Sequence, residues 1–582
     1  MKRWYKYIRP YLPAFILGPL CMIAEVIGEV VMPKVMSLIV TGGTLGTLTT
    51  GQTLRYTGLM ALTAVLMGLG GVGGAWFGSK AAVGFAADLR EDIYGKIQSF
   101  SFANIDKFST GSLITRLTND VTQLQNFTGM ILRMGLRAPG MMIGALIMAI
   151  AIRPSLTAVF FVSIPVLFVS VFSLIRIGFP RFSVMQEKLD RLNSAIQENI
   201  TNVRVVKSFV REDYEKRKFA GANRRLKEAC LSAVGVMIVM PAVMTVVMNL
   251  TIIAVLWIGG NIVLQEQGTV GGMQVGDLAA FVTYVTQILS SLMFVTFLMM
   301  ASSRAFASAR RITEVLDEAP DLTDADAACK DKLADRGEIE FRHVSFRYYK
   351  NHREEVLSDV SLTIPAGARV GIIGSTGCGK TTLVSLIPRL YDCDSGEVLL
   401  DGVNVRDYSL DNLRRSVSMV LQKNTLFTGT VKDNLLWGSE DASDEEVEEA
   451  AKAAQAHGFI TGFREGYLSP IEQGGSNVSG GQKQRLCIAR ALLRKPKVLI
   501  LDDSTSAVDT ATEAAIRKAF ADKLAGTTTI IIAQRISSVM DADLIVVMDE
   551  GRITGAGSHE ELLRSNREYQ EIYYSQTAAE VS

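Results

Sequence analysis

The sequence predicts two unlike domains in one chain, a helical domain of membrane-spanning segments followed by a soluble α/β domain. Three observations carry that division. Long apolar runs fill the chain before residue 310 and then stop, so the 48% hydrophobic content averages two different halves. Beyond about residue 337, short apolar runs alternate with charged segments in an ordinary α/β pattern. Within that second half, Gly374-Ser375-Thr376-Gly377-Cys378-Gly379-Lys380-Thr381 fits G-x-x-x-x-G-K-[ST] at every fixed position.

Six stretches in the first half are long and apolar enough to cross a bilayer, near 13–40, 56–79, 129–151, 156–178, 233–258 and 277–300. Each such crossing needs about 20 residues. Twelve Lys and Arg lie between Arg181 and Lys227, whereas 41–54 and 259–275 hold none. The positive-inside rule then puts both termini and the long segments 80–128 and 180–230 in the cytoplasm. Those segments are amphipathic, so the membrane helices are expected to continue well beyond the bilayer. The N-terminus is basic and aromatic (Lys2, Arg3, Trp4, Tyr5) and lacks a signal-peptide cleavage pattern, as an interfacial segment would.

Inside the membrane half, Gly70, Gly74 and Gly78 recur every four residues, a face for close helix packing. Glu25 and Glu29 lie one turn apart in the first helix. They are expected either to line a cavity for a cation or substrate, to pair with a basic neighbour, or to sit near the membrane edge. Met237, Met240, Met244 and Met248 form one stripe, a helix-packing surface or an adaptable drug-binding face, with Pro241 loosening the helix.

The expected domains are a membrane domain over 1–310, a polar linker over 311–336, a nucleotide-binding domain over 337–574 and a tail over 575–582. In the second of these domains, the strand 368–373 and a helix from Thr382 flank the phosphate loop. Its glycines let N–H groups turn inward around phosphate oxygens, and the helix start adds its positive dipole end. Lys380 is placed to reach the β- and γ-phosphates of a nucleoside triphosphate, with the Thr381 hydroxyl a ligand for Mg²⁺. Val498-Leu499-Ile500-Leu501-Asp502 reads as a buried strand ending in a second Mg²⁺ partner. Ser479-Gly480-Gly481-Gln482 would start a helix whose open N-terminus suits phosphate, or would simply cap that helix. Tyr348 is positioned to stack on a purine ring.

Together these motifs resemble the ATP-binding-cassette exporter family, in its half-transporter form with six membrane helices fused to one nucleotide-binding domain. The resemblance implies ATP and Mg²⁺ as ligands, and two ATP molecules sandwiched between paired nucleotide-binding domains. Tyr348 is similar to the family's adenine-stacking residue, and Gln422 to the glutamine that links γ-phosphate and Mg²⁺ to the membrane domain. Val478 through Gln482 is similar to the signature sequence, with Val where Leu is commoner. Glu472 resembles a cross-domain contact loop, and Ser506-Ala507-Val508-Asp509 the loop that reaches across the dimer. Phe108–Leu113 with Arg116–Asp120, and Val205–Phe209, resemble the two intracellular coupling segments.

Two positions depart from the family pattern. Asp503 stands where a glutamate base is usual, and the missing methylene withdraws the carboxylate by roughly an ångström, an error able to slow a reaction about 100-fold. Gln534 stands where a histidine is usual, and it can donate a hydrogen bond but cannot carry charge or relay a proton. With the phosphate loop whole, this pattern is expected of a subunit with a weakly hydrolysing site that lends its signature sequence to a partner half-transporter. A slow homodimer and an ATP-gated regulator are the alternatives.

Other classes fit less well. A net charge of +1 argues against nucleic acid as the partner, and six scattered cysteines without a C-x-x-C pair suggest neither a disulfide framework nor a zinc site. Six fused spans exclude a soluble cassette ATPase, and the resemblance implies that importers more often keep their parts on separate chains. The expected setting is the bacterial cell membrane, with lipid around the chain and a hydrophobic drug, lipid or peptide as cargo. Cys378, within the loop, is expected to make nucleotide binding sensitive to thiol alkylation.

Overall fold

A computed structural model describes residues 2–266, 272–325, 327–348, 354–503, 510–524 and 526–581. The chain divides into two compact units, one formed by 1–96 with 111–317 and the other by 97–110 with 318–582.

Six apolar helical spans of 42 to 54 residues make up the first unit. At about 1.5 Å per residue they reach roughly 63–81 Å, at least twice the ~30 Å of bilayer hydrocarbon. The helices therefore run on past the apolar windows that the sequence marks. The chain turns between spans at Ser109, with φ of 54°, just before the third, and at Asn202, before the short helix Val203–Ser208 that separates the fourth from the fifth. Leu62, Leu66, Leu69, Val72 and Trp76 point outward on Thr50–Gln98, as a lipid-facing surface requires.

The inner faces are built for close approach. A Cβ at Gly70 would stand 2.9 Å from the Cys21 carbonyl oxygen, and one at Gly74 only 2.3 Å from Met22 Sδ. The glycine face thus seats Thr50–Gln98 against Leu12–Thr44. Val26, Val30, Met141, Ala145, Phe281 and Tyr284 form the core between the first, third and sixth spans. Met240, Met244 and Met248 pack onto this core while Met237 is exposed. Beyond the apolar windows, buried Asp120 accepts hydrogen bonds from Ser308 Oγ at 2.9 Å and Arg311 Nε at 2.8 Å. That pair ties the start of the third span to the end of the sixth.

Two large sheets dominate the second unit, beside a small antiparallel pair of Gly429–Thr430 with Pro470–Ile471. Four antiparallel strands run in the order Leu357–Ile364, Ile339–Phe346, Ser395–Leu400, Val403–Asn404. A six-stranded sheet follows the order Arg552–Gly557, Leu544–Asp549, Arg369–Gly374, Thr528–Ile532, Val498–Asp502, Val417–Val420. All its neighbours are parallel except the Leu544/Arg552 edge pair. Buried on both faces, the central strands are runs of Val, Ile and Leu, as a covered parallel sheet demands.

Residues 97–110 belong to this second unit by packing. Phe102–Phe108 is a short helix with a capping box between Ser101 and Asn104. Phe102 lies 6.0 Å from the Tyr391 ring, and Tyr391 donates to Asp106 Oδ2 at 3.0 Å. Asn104 Nδ2 donates to Glu318 at 3.2 Å and to the Ala319 carbonyl at 3.1 Å.

Candidate nucleotide site

Parallel strands in an open α/β sheet deliver their next residues to one edge, where ligands bind. Here four adjacent strands do so. Arg369–Gly374 leads into the phosphate loop, Thr528–Ile532 to Gln534, Val498–Asp502 to Asp503, and Val417–Val420 to Gln422. Residues about 160 positions apart in sequence thus meet because their strands are neighbours in register, Ile532 pairing with both Ile372 and Asp502.

The loop's shape depends on glycine. A Cβ at Gly374, where φ is 154°, would lie 2.0 Å from the Met548 carbonyl oxygen. At Gly379, with φ of 97°, it would lie 2.9 Å from the Val356 oxygen. Gly377 also has positive φ, at 86°. Lys380 bends back over this curve, its Nζ donating to the carbonyls of Gly374 at 3.0 Å and Ser375 at 2.7 Å. Ser375 Oγ donates to Asp549 at 2.8 Å, and Thr376 is exposed at the rim. Cys378 is buried beneath the loop as a free cysteine.

Thr381 Oγ1 donates to Asp502 Oδ1 at 3.0 Å, while Asp502 Oδ2 is buried with no hydrogen-bond partner. Burial pushes the Asp502 carboxyl above its usual range. An orphaned buried carboxylate oxygen beside a hydroxyl is a donor set suited to a hard cation. Asp502 and Thr381 would hold Mg²⁺, with Gln422 at the neighbouring strand end. Bound there, the ion would supply positive charge to phosphate oxygens.

Asp503 stands apart from its neighbour in both conformation and partners. Its φ is 47°, and its N–H donates to the Ile532 carbonyl at 3.1 Å. Gln534 Nε2 donates to Asp503 Oδ2 at 2.7 Å. Burial raises the Asp503 carboxyl, while the Gln422 and Gln534 amides and the Lys380 charge pull the other way. The two altered positions are therefore hydrogen-bonded directly to each other.

Tyr348 is partly exposed, packed edge-on against Phe346 and Tyr391, with its hydroxyl 2.9 Å from Thr382 Oγ1. Ser479 caps Gly480–Leu493, its Oγ accepting from Gln482 N at 3.3 Å, and Ser479 N donates to Gln482 Oε1 at 2.9 Å. Glu472 accepts from Ser476 at 2.7 Å. Ser506–Asp509 lies outside the described residues.

Sequence reasoning missed two contributors. Gln576, on the C-terminal helix Arg567–Val581, donates to the Gln534 carbonyl and accepts from Ile536 N, each at 2.8 Å. No sequence pattern marks it. Phe102 and Asp106, which hold residues 97–110 to the second unit, precede the matched coupling motif, and the Ser101-x-x-Asn104 cap was the available signal.

A phosphate loop at the carboxyl edge of a parallel sheet, preceded in the same chain by six apolar spans, defines a membrane protein with a fused ATPase domain. Residues 15–293 match the family model of the ABC transporter transmembrane region, and residues 357–506 match the ABC transporter family model. The chain is 39% identical to the ABC transporter ATP-binding protein YfiB of Bacillus subtilis, over all of both chains. It is 32% identical to an ATP-dependent lipid A-core flippase of Syntrophus aciditrophicus, over 99% of this chain and 94% of that protein. Its fold matches the structure of a bacterial Atm1-family ABC exporter with ATP bound, with a TM-score of 0.76 and 24% identity over 98% of each chain. The chain belongs to the ABC transporter family, as a half-transporter with its membrane domain fused to its ATP-binding domain. It is thus a multi-pass membrane protein whose ATPase domain serves ATP-driven export.

Proposed function

We propose that this subunit exports an amphipathic or hydrophobic cargo across the bacterial cell membrane, with both termini cytoplasmic, and that its own nucleotide site binds ATP but hydrolyses it weakly. The observation that carries the second part is the carboxylate of Asp503, held by the Gln534 amide beside an intact phosphate loop. Lys380 and the loop N–H groups hold phosphate charge, and Tyr348 offers its ring to the adenine. Asp503 is one methylene shorter than the usual base and is engaged by the Gln534 amide, so it orients and deprotonates a water poorly. Gln534 offers an amide and no ionisable group.

Such a subunit works best with a sister half-transporter that supplies Glu and His at the corresponding positions. Its Ser479–Gln482 helix start then completes the sister's productive site. Tightening of the two nucleotide domains passes to the membrane helices through the coupling segments Phe108–Leu113 with Arg116–Asp120 and Val205–Phe209. The relatedness to a protein described as a lipid A-core flippase favours an amphipathic cargo over a small polar one.

Expressing the chain alone and with candidate sisters, then measuring ATP turnover and cargo stimulation in vesicles, tests the pairing. The co-expressed pair is expected to turn over ATP well while the lone chain is slow. A lone chain forming a stable homodimer with brisk, cargo-stimulated turnover would remove the heterodimer. Lys380→Ala is expected to abolish photolabelling of this chain by an azido-ATP, and retained labelling would contradict the assignment of the loop.

A further inference from the structure

Within the membrane unit, a cavity of about 350 Å³ lies between the first, third and sixth spans. Gln287, in its wall, sits roughly 18 Å along Val275–Asp317 from the outer end, at about 1.5 Å per residue. Polar groups at such depth are costly unless paired or put to use.

The pairing here is incomplete. Arg137 Nη2 lies 3.1 Å from Glu29 Oε2 and 3.2 Å from Glu25 Oε1, so one guanidinium serves two carboxylates. With all three groups ionised the cluster carries one net negative charge. Glu25 packs over Gly71 on the side of the second span, whereas Glu29 and Arg137 line the cavity. Gln287 Nε2 donates to the Glu29 backbone carbonyl at 2.9 Å, which fixes the amide so that Oε1 is its free end. That oxygen is buried with no hydrogen-bond partner. A purely structural ion pair would need one carboxylate, and it would leave no orphaned acceptor in the wall.

We propose that this cavity is a subsite for the cationic, hydrogen-bond-donating head of an amphipathic cargo, namely a protonated amine on an apolar body. The ammonium is held between the Glu29 carboxylate and Gln287 Oε1, with the hydroxyls of Thr286 and Ser290 able to accept its remaining donors. Met141 and Phe294 supply the apolar wall, and the Phe294 ring face favours a cation. An anionic head finds the one arginine already shared between two carboxylates, with its buried Nε left without a partner, and meets the net negative charge of the cluster. This inference names the cargo class for the export reading above and rests on it.

The test uses the full-length chain in lipid nanodiscs without nucleotide, titrated with three fluorescent probes that share a dansyl group. Dansylcadaverine ends in a primary amine, its N-acetyl derivative is neutral, and dansyl-aminohexanoic acid ends in a carboxylate. The amine is expected to bind saturably, the other two at least about 10-fold more weakly, a difference of about 1.4 kcal/mol. Glu29→Gln is expected to remove the preference for the amine and Glu29→Asp to retain much of it, with azido-ATP labelling showing that each variant is folded. Equal binding of the amine and its acetylated form, tighter binding of the carboxylate, or an unchanged preference in Glu29→Gln would each overturn the proposal. If Glu29→Gln does not fold, the three-probe comparison on the native chain decides. Amine binding without ATP-driven transport would sink the export reading alone, and transport without amine preference would sink this subsite alone.

Discussion

Asp503 occupies the left-handed region, which Asp tolerates better than most side chains, and this turns its carboxylate toward Gln534. The double change Asp503→Glu with Gln534→His is expected to raise single-turnover hydrolysis at this chain's own site by on the order of 10–100-fold. Rapid-quench measurement with the sister's site silenced would read it. Asp502 makes a separate prediction. Its raised carboxyl binds a proton more tightly in the folded than in the unfolded chain. Stability from that group is therefore fully present below the ordinary carboxylate range and is lost as pH rises through the raised value. Asp502→Asn removes this loss, so at pH 8 the nucleotide-free chain should melt about 2–4 °C higher per kcal/mol recovered, with the gain shrinking toward pH 4. Thermal scans across pH would show it, and a variant destabilised at pH 8 would contradict it. The identities of Lys380, Thr381 and Asp502 were legible from sequence because their spacing is fixed by the loop and the strand. The bond between Gln534 and Asp503 was not, because it depends on which strands become neighbours.

At the scale of elements, the glycine face of the second span makes a sharp comparison. Gly70→Val must push against the Cys21 backbone, whereas a Cβ at Gly68 meets nothing within 4 Å. Gly70→Val is expected to cost about 1–3 kcal/mol and Gly68→Val almost nothing, read as melting temperature in nanodiscs. Equal effects would mean that lipid exposure, not helix contact, sets the cost. This face was legible because its four-residue period is a direct statement about one helix surface. Partners of Glu25 and Glu29 were harder to see. Arg133 and Arg137 both stood in the third apolar run, a signal that identifies basic groups among apolar residues without saying which of them answers the carboxylates or on which helix. The docking helix Phe102–Phe108 was hidden for a similar reason. Its hold on Tyr391 and Glu318 joins residues more than 200 positions apart.

For the whole molecule, the sequence showed the fusion of a six-span domain to an ATPase because hydropathy and the phosphate loop are local properties. Division of labour between two subunits is a property of an assembly, and one chain carries only its own share of it. Under the proposed pairing, this chain's share would be an intact nucleotide cradle next to a shortened base held by Gln534. The most direct test measures ATP occupancy and single-turnover hydrolysis together in the reconstituted full-length chain, native against Asp503→Glu/Gln534→His. The account predicts equal, Lys380-dependent occupancy, slow hydrolysis in the native chain and a rise of on the order of 10–100-fold in the double variant. Brisk hydrolysis by the native chain that the double variant fails to exceed would contradict it.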